Sequence, residues 1–138
     1  MKIKNIFKMS VLLFFLLVLV GCEKKEENSE DEKAPEAKFH IGIVTGTVSQ
    51  AEDEQRGAEA MIAKYGDADH GGMIRHLNYP DNYMQEQETT IQQITSLADD
   101  PLMKVIVVNQ GPPGTTVAFR QIKENRPDII CLVGSNQE

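Results

Sequence analysis

The chain has 138 residues, of which 41% are hydrophobic and 25% charged, and its formal net charge is −7. This length allows one compact domain at most. An acidic chain repels nucleic acid and anionic lipid headgroups, so its charge favours neither as a partner.

The first 22 residues have the pattern of a bacterial lipoprotein signal. Three lysines lie within the first eight residues, and residues 11–20 form an unbroken apolar run. This run is too short for a membrane-spanning helix, which needs about 20 apolar residues. It leads into Leu-Val-Gly-Cys, which resembles the lipobox of bacterial lipoproteins, where cleavage leaves a cysteine whose thiol carries a diacylglyceryl group. We predict a signal peptide over residues 1–21 and lipidation of Cys22; the alternative is an ordinary cleaved signal followed by an incidental cysteine.

Residues 22–38 form a predicted tether. After Cys22 the segment is rich in Glu, Lys, Asn and Ser and has almost no apolar residue, so burial cannot offset the entropy lost on ordering. Without the signal the chain has 11 basic and 21 acidic residues, a formal charge of −10. Two or three acyl chains, at about 0.8 kcal/mol per buried methylene, would hold the protein on a membrane. We therefore expect a membrane contact through the lipid at Cys22, on the extracytoplasmic face.

Residues 39–138 alternate short apolar runs with helical periodicity. Strands are predicted over residues 39–45, 73–79, 103–109 and 128–134. Helices are predicted to begin at Ser49, which forms a capping box with Glu52, at Asp81 or Asn82, and at Thr115 or Thr116. In the first helix, residues recur at helical spacing at Ala51, Gln55, Ala58, Ile62 and Tyr65. The buried stripe of the second helix would include Met84, Ile91, Ile94 and Ala98.

Strand, helix and strand recur about every thirty residues, which predicts right-handed crossovers and a doubly wound α/β fold with a parallel sheet. Arg75 and His76 suit an edge strand, which favours the flavodoxin-like order 2-1-3-4. The fourth strand is as apolar as a central strand, yet few residues follow it to cover its far side. We therefore expect the chain to be the truncated N-terminal part of a longer domain. Cys131, in this strand, is expected to pack in the core, with a catalytic thiol as the alternative.

In an open parallel sheet the ligand crevice lies beyond the carboxyl ends of the strands. The loops predicted there are rich in hydroxyls, amides and glycines, which suit hydrogen-bonded recognition of a small polar or anionic molecule beside helix N-termini. The residues predicted to face this ligand are Thr45, Gly46, Thr47, Ser49, Tyr79, Asp81, Asn109, Gln110 and Ser135. The structural alternative for each is that hydroxyls cap helices and glycines make turns.

Sharper chemical motifs are absent from the sequence. It contains no G-x-x-x-x-G-K-[ST], no G-x-G-x-x-G and no G-x-S-x-G, which argues against a nucleotide cofactor and a serine hydrolase. A phosphorylated receiver domain would need acidic residues after the first and third strands, where the chain has Thr45 and Asn109. The three histidines lack metal-ligand spacing, and His70 is expected in a solvated turn. We expect no catalytic residue, metal or cofactor.

The stretch Phe-His-Ile-Gly-Ile-Val-Thr-Gly-Thr-Val-Ser-Gln, residues 39–50, resembles an uncharacterised family of bacterial lipoproteins with a type I periplasmic-binding-protein fold. Further stretches with this resemblance lie at residues 56–60, 79–82, 87–91, 97–104 and 126–129. The resemblance implies two lobes that close on a small molecule at the strand ends, of which this chain would supply the N-terminal one. It also implies a membrane transporter or a receptor as partner. After Gly134 the tail departs from the family pattern.

The leading hypothesis is a lipid-anchored, non-catalytic solute-binding lobe for a small polar ligand, in transport or sensing. The rival is a surface-anchored enzyme or signalling receptor domain on the same fold. Thermal stabilisation by a compound that is not consumed favours the first, and consumption of the compound favours an enzyme.

Overall fold

The computed structural model describes residues 36–136. The strands are β1 (His40–Thr45), β2 (Ile74–Asn78), β3 (Met103–Gly111) and β4 (Ile130–Asn136), and the helices are α1 (Val48–Tyr65), α2 (Gln87–Ser96) and α3 (Thr115–Asn125). Short 3-10 turns lie at Ala68–His70 and Leu97–Asp99. The predicted signal peptide, the lipidation of Cys22 and the tether up to residue 35 lie outside the described residues and stay predictions, as do the domain boundaries. No helix within the described range is both long and apolar enough to cross a membrane.

The four strands form one parallel sheet in the order β2-β1-β3-β4. This confirms the predicted α/β class and strand order. Right-handed crossovers explain the layers, because the step from β1 to β2 runs opposite to the steps that lead to β3 and β4. Helix α1 therefore lies on one face, and α2 and α3 lie on the other.

The hydrophobic core lies between the sheet and helices α2 and α3. Val44, Ile106 and Val108 are fully buried on this face of the sheet. Alternation along a strand sends every second side chain to the same face, so these residues meet the helices together. The helices contribute Ile91 and Ile94 from α2 and Ala118 and Ile122 from α3. Full burial of an Ile or Val side chain contributes about 1.5 to 3 kcal/mol, so this face supplies most of the stability.

Cys131 packs against this core from β4, as predicted. Burial raises the pKa of its thiol, and the charge of Lys123 opposes that shift only in part. A thiol with a raised pKa is seldom a thiolate at neutral pH, so Cys131 is a poor nucleophile.

The opposite face of the sheet is only partly covered. Helix α1 buries a single residue, Ala58. On this face Ile130 and Leu132 of β4 are 55% and 50% exposed, although parallel sheets are normally covered on both faces. The continuous apolar pattern of the strands predicted cover on both faces. Residues 36–136 bury most of the α2/α3 face, although Val133 at its β4 end is 41% exposed, and they leave the α1 face partly open.

The predicted helix starts need correction. Helix α1 begins at Val48 with Thr47 as its N-cap and no side-chain cap hydrogen bond, so the capping box at Ser49 was wrong. Helix α2 begins only at Gln87, after a turn over residues 81–85, rather than at Asp81 or Asn82. Ser49 and Asp81 bond to each other instead, because the loops after β1 and β2 lie side by side.

Met84, which was predicted to be buried, and Tyr65, one of the residues at helical spacing in the first helix, are both solvent-facing. Met84 is 58% exposed because it lies in the turn that precedes α2. Tyr65, in the last turn of α1, is 40% exposed, with the ammonium of Lys64 placed 4.9 Å from its ring centroid. Helix α3 does begin at Thr115, but Gly114 is its N-cap and the Thr115 hydroxyl donates to the carbonyl of Pro112.

Candidate functional site at the carboxyl ends of the strands

Asn78 is the central hydrogen-bond donor at the end of β2. Its amide nitrogen lies 3.0 Å from Thr45 Oγ1, 2.6 Å from the carbonyl oxygen of Gly46 and 2.7 Å from Gln55 Oε1. An amide has two hydrogens, so the three acceptors share them. One side chain therefore joins the ends of β1 and β2 to helix α1.

The hydroxyl of Thr45 is the second element of this inner layer. It donates to the carbonyl of Gly46 at 2.9 Å and lies 2.8 Å from His76 Nε2. The tautomer of His76 decides which of the two groups donates in this second bond. Burial lowers the pKa of His76, outweighing the opposite effect of the Glu59 charge. A neutral imidazole can either donate or accept at Nε2, so both tautomers fit the contact with Thr45.

An exposed polar cluster covers this inner layer. It consists of Thr47, Ser49 and Asp81, with Gln50 beside them. Thr47 Oγ1 and Ser49 Oγ are 2.8 Å apart, and both hydroxyls donate to Asp81 Oδ1, the latter at 3.0 Å. The Gln50 amide donates to the backbone oxygen of Asp81. Hydroxyl, carboxylate and amide groups thus stand together, with lone pairs and protons available to a polar ligand.

Strands β3 and β4 extend the same edge of the sheet. Asn109 and Ser135 are exposed, and Ser135 lies opposite Gln110 in the β3–β4 register. Gln110 Nε2 donates to Glu54 Oε1 at 2.7 Å. The second oxygen of Glu54, Oε2, is buried without a hydrogen-bond partner.

The structure divides the nine predicted ligand residues into two groups. Six have accessible or half-buried side chains on this edge, and we call them the rim: Thr47, Ser49, Asp81, Asn109, Gln110 and Ser135. Thr45, Gly46 and Tyr79 are buried beneath it. The first two hold the loop through the Asn78 network and are placed to support a ligand site rather than to touch its contents.

Tyr79 is a packing residue. It is 3% exposed, and its ring lies edge-on to Tyr83 with 5.5 Å between centroids. Burial, with the charges of Glu54 and Tyr83, raises the pKa of Tyr79 to about 12. Its hydroxyl lies 3.0 Å from where a Cβ on Gly46 would be. A Cβ at position 46 would therefore crowd the Tyr79 hydroxyl, and the buried ring offers no stacking surface to a ligand.

Sequence reasoning missed the residues that support the rim, namely Glu54, Gln55, His76 and Asn78. One signal pointed to them. Gln55 is one of the residues that recur at helical spacing in α1. A polar residue among them, when it is buried, needs a hydrogen-bond partner. The sequence could not say that the partner is Asn78.

The remaining His, Asp and Glu side chains were compared with the requirements of a metal site. Within residues 36–136 no three His, Cys, Asp or Glu side chains are grouped to hold a metal ion. His70 is exposed at the end of a 3-10 turn, 3.6 Å from Asp67. The close pair of His40 Nδ1 and Asp100 Oδ2, at 2.6 Å, lies at the amino ends of the strands, opposite the rim.

The sequence is similar to two uncharacterized proteins of Treponema pallidum (strain Nichols). An uncharacterized protein of Treponema pallidum (strain Nichols) is 37% identical over 125 residues, which are 89% of this chain and 56% of that protein. A second uncharacterized protein of the same organism is 44% identical over 43 residues, 31% of this chain and 20% of its own length. The chain thus spans little more than half the length of the first of these relatives.

A crystal structure from Clostridium difficile 630, titled "Putative transcriptional regulator", superposes with a TM-score of 0.62 at 28% identity, over 71% of this chain and 30% of that one. This agrees with the α/β fold. The family described as "Protein of unknown function (DUF3798)" matches residues 39–138, which are the whole predicted folded region. The chain therefore belongs to the DUF3798 family.

Proposed function

We propose that this chain is the first lobe of a lipid-anchored, extracytoplasmic solute-binding protein that holds a small polar molecule at the rim. One observation carries the proposal: hydrogen-bonding side chains from the ends of all four strands gather on the same edge of the sheet. Thr47 and Ser49 follow β1, Asp81 follows β2, and Asn109 and Ser135 belong to β3 and β4. In an open parallel sheet this edge is where ligands bind.

The inner layer prepares the rim for binding. Asn78 and Thr45 tie the loop after β1 to β2 and to α1, so the rim side chains are held by a satisfied network before a ligand arrives. A preorganised site loses less conformational entropy when it binds. The rim offers hydroxyls, a carboxylate and amides, which can both donate to and accept from a polar solute.

The rival function, an enzyme on the same fold, would draw on the Thr45–His76 pair, which resembles a nucleophile with its base. The burial of the Thr45 hydroxyl argues against that role. Thr45 is only 1% exposed, and its hydroxyl also contacts the Gly46 carbonyl and the Asn78 amide. Nucleophilic catalysis needs a base that accepts the proton of an accessible hydroxyl. The pair therefore supports binding rather than catalysis.

The anchor and the partner are part of the same proposal. Lipid on Cys22 would keep the domain at the outer face of the membrane, where a transporter or a receptor could take up the ligand-bound form. Expression of the full chain with an alkyne-labelled fatty acid tests the anchor. Label should enter the wild-type protein and be absent from Cys22→Ala.

Thermal unfolding with a panel of amino acids, sugars, nucleosides and polyamines tests ligand binding. We expect one class to raise the melting temperature without being consumed, as followed by mass spectrometry. The double variant Thr47→Ala, Asn109→Ala should lose that increase while melting almost unchanged without ligand.

Ser96→Ala is the matched control, since Ser96 is an exposed hydroxyl bonded to the Gln93 carbonyl within α2. It should keep the full response to ligand. Equal losses in the control and in the rim double variant, or turnover of the compound, would overturn the binding proposal.

A further inference from the structure

A groove of about 600 Å³ runs along the partly covered face of the sheet beside α1. Its floor and wall are mainly apolar, and its lining includes Ile41, Ile43, Met61, Val105 and Val107. Polar groups border it at the rim end and along α1. The apolar surface continues beyond the groove onto the exposed Ile130 and Leu132 of β4.

The strand register places these side chains in two rows. Ile43, Val107 and Leu132 are neighbours across β1, β3 and β4, and Ile41, Val105 and Ile130 form the row below. Strands lie about 4.8 Å apart, so three of them span about 10 Å. An α-helix with its side chains is about 10 Å wide. The open surface therefore has the width of one helix.

The shape of this surface favours a helix over a small molecule. Small ligands are usually enclosed by a concave pocket with a few convergent polar groups. Here the apolar surface stays open as far as β4, where Leu132 is half exposed. Parallel sheets bury both faces under helices, and α1 covers only the side near β1 and β2.

The charged side chains of α1 indicate what kind of group should lie next to this helix in the groove. Asp53 and Glu54 line the groove from α1, and neither forms an ion pair with a described residue. Glu54 Oε2 is buried without a partner, and an unpaired buried carboxylate oxygen is costly. If a helix bound in the groove, a Lys or Arg on its side facing α1 would pair with these carboxylates after a small rotation of the Glu54 side chain.

We propose that this surface is the seat of an amphipathic helix with an apolar stripe and a basic flank. We further propose that the longer proteins of the family supply this helix from sequence outside the matched region. The Treponema pallidum relative has that sequence, because the match covers 56% of its length. The inference does not depend on the ligand proposed for the rim.

The test uses this chain and a separate polypeptide made of the part of the Treponema pallidum relative that lies outside the matched region. Isothermal titration calorimetry should show a saturable complex with one-to-one stoichiometry. Leu132→Asp should weaken it at least tenfold, because the substitution places a charge on the exposed apolar surface that the helix would cover. Glu54→Gln should weaken it several-fold and reduce its salt dependence.

Val117→Asp is the matched control, since Val117 is an apolar residue of α3 that is 39% exposed on the other side of the sheet. It should bind like wild type. Fusing the same polypeptide to the C-terminus of this chain gives a second measurement at high effective concentration. The fusion should melt at a higher temperature than the chain alone, and Leu132→Asp should remove that gain.

Three results would overturn the proposal. The first is no complex and no stabilisation in the fusion. The second is equal weakening by Leu132→Asp and Val117→Asp. The third is self-association of the chain that Leu132→Asp abolishes, which would make a second copy the occupant.

Discussion

Replacing Asn78 tests the inner layer of the site most directly. Asn78→Ala removes the donor shared by Thr45, Gly46 and Gln55. A lost hydrogen bond costs about 0.5 to 1.5 kcal/mol, and a buried acceptor left unsatisfied costs about 1 to 3 kcal/mol. Gly46 keeps the bond from the Thr45 hydroxyl, and Gln55 is half-buried and can turn to water. We therefore expect a total near 2 to 3 kcal/mol, less than three separate losses.

Urea unfolding of the purified protein measures this change. The midpoint should fall while the slope stays constant, because the substitution alters few exposed groups. Asn82→Ala is the control, as Asn82 is an exposed amide on the neighbouring turn, and it should change stability by less than about 0.5 kcal/mol.

Asn78→Asp sharpens the same test. It places a carboxylate, which cannot donate a hydrogen bond, next to the acceptor oxygens of Gly46 and Gln55. At neutral pH this variant should therefore lose more free energy of unfolding than Asn78→Ala. Acidification that protonates the new carboxylate should recover part of the loss. An Asn78→Ala variant as stable as Asn82→Ala would refute the inferred network.

Three further predictions concern stability. Because the pKa of Tyr79 is raised to about 12, the folded protein should lose about 2 to 3 kcal/mol of stability as the pH rises from about 10 to 12. Tyr79→Phe should remove this alkaline loss, as measured by urea unfolding at each pH. Burial alone would raise the pKa of Asp100, but hydrogen bonds from His40 and a backbone amide lower it overall. Asp100 therefore stabilises the fold at pH values above its unfolded pKa, and this stabilisation is lost as the pH falls through its folded pKa. Asp100→Asn should flatten the acid limb of the stability profile, and an unchanged limb would contradict this assignment. Ile106→Ala should cost about 2 to 5 kcal/mol and Leu132→Ala less than about 1, since the first side chain is fully buried and the second half exposed; equal costs would show that both faces are packed alike.

The strands could be predicted from the sequence because each is a local signal. The apolar runs around Val44 and Ile106 are bounded by turn residues, and their spacing requires crossovers that have only one common hand. The edge position of β2 also followed from its own composition, since Arg75 and His76 suit a border. The helix starts were less accurate, because Ser49 and Asp81 can satisfy their hydrogen-bonding groups by capping a helix or by bonding across two loops. A local pattern does not distinguish these outcomes.

The edge of the sheet that carries the rim followed from parallel topology, which brings all carboxyl ends together. The inner layer did not, because Asn78 meets Thr45 and Gln55 only after strand pairing and helix packing bring together residues 33 and 23 positions apart. Likewise, Tyr79 was predicted to face the ligand and is instead a core residue. A side chain's surroundings depend on distant parts of the chain, whereas its strand or helix depends mainly on its neighbours.

The sequence by itself determined the α/β class, the parallel strand order and the polar character of one edge. These follow from periodicity and composition, which are properties of short segments. Only the tertiary structure decided which polar groups support the site and which reach solvent, and that one face of the sheet stays open beside α1. The physical reason is that burial and hydrogen-bond partnership are set by which distant segments meet in space, and the spacing of residues along a strand or helix does not contain that information.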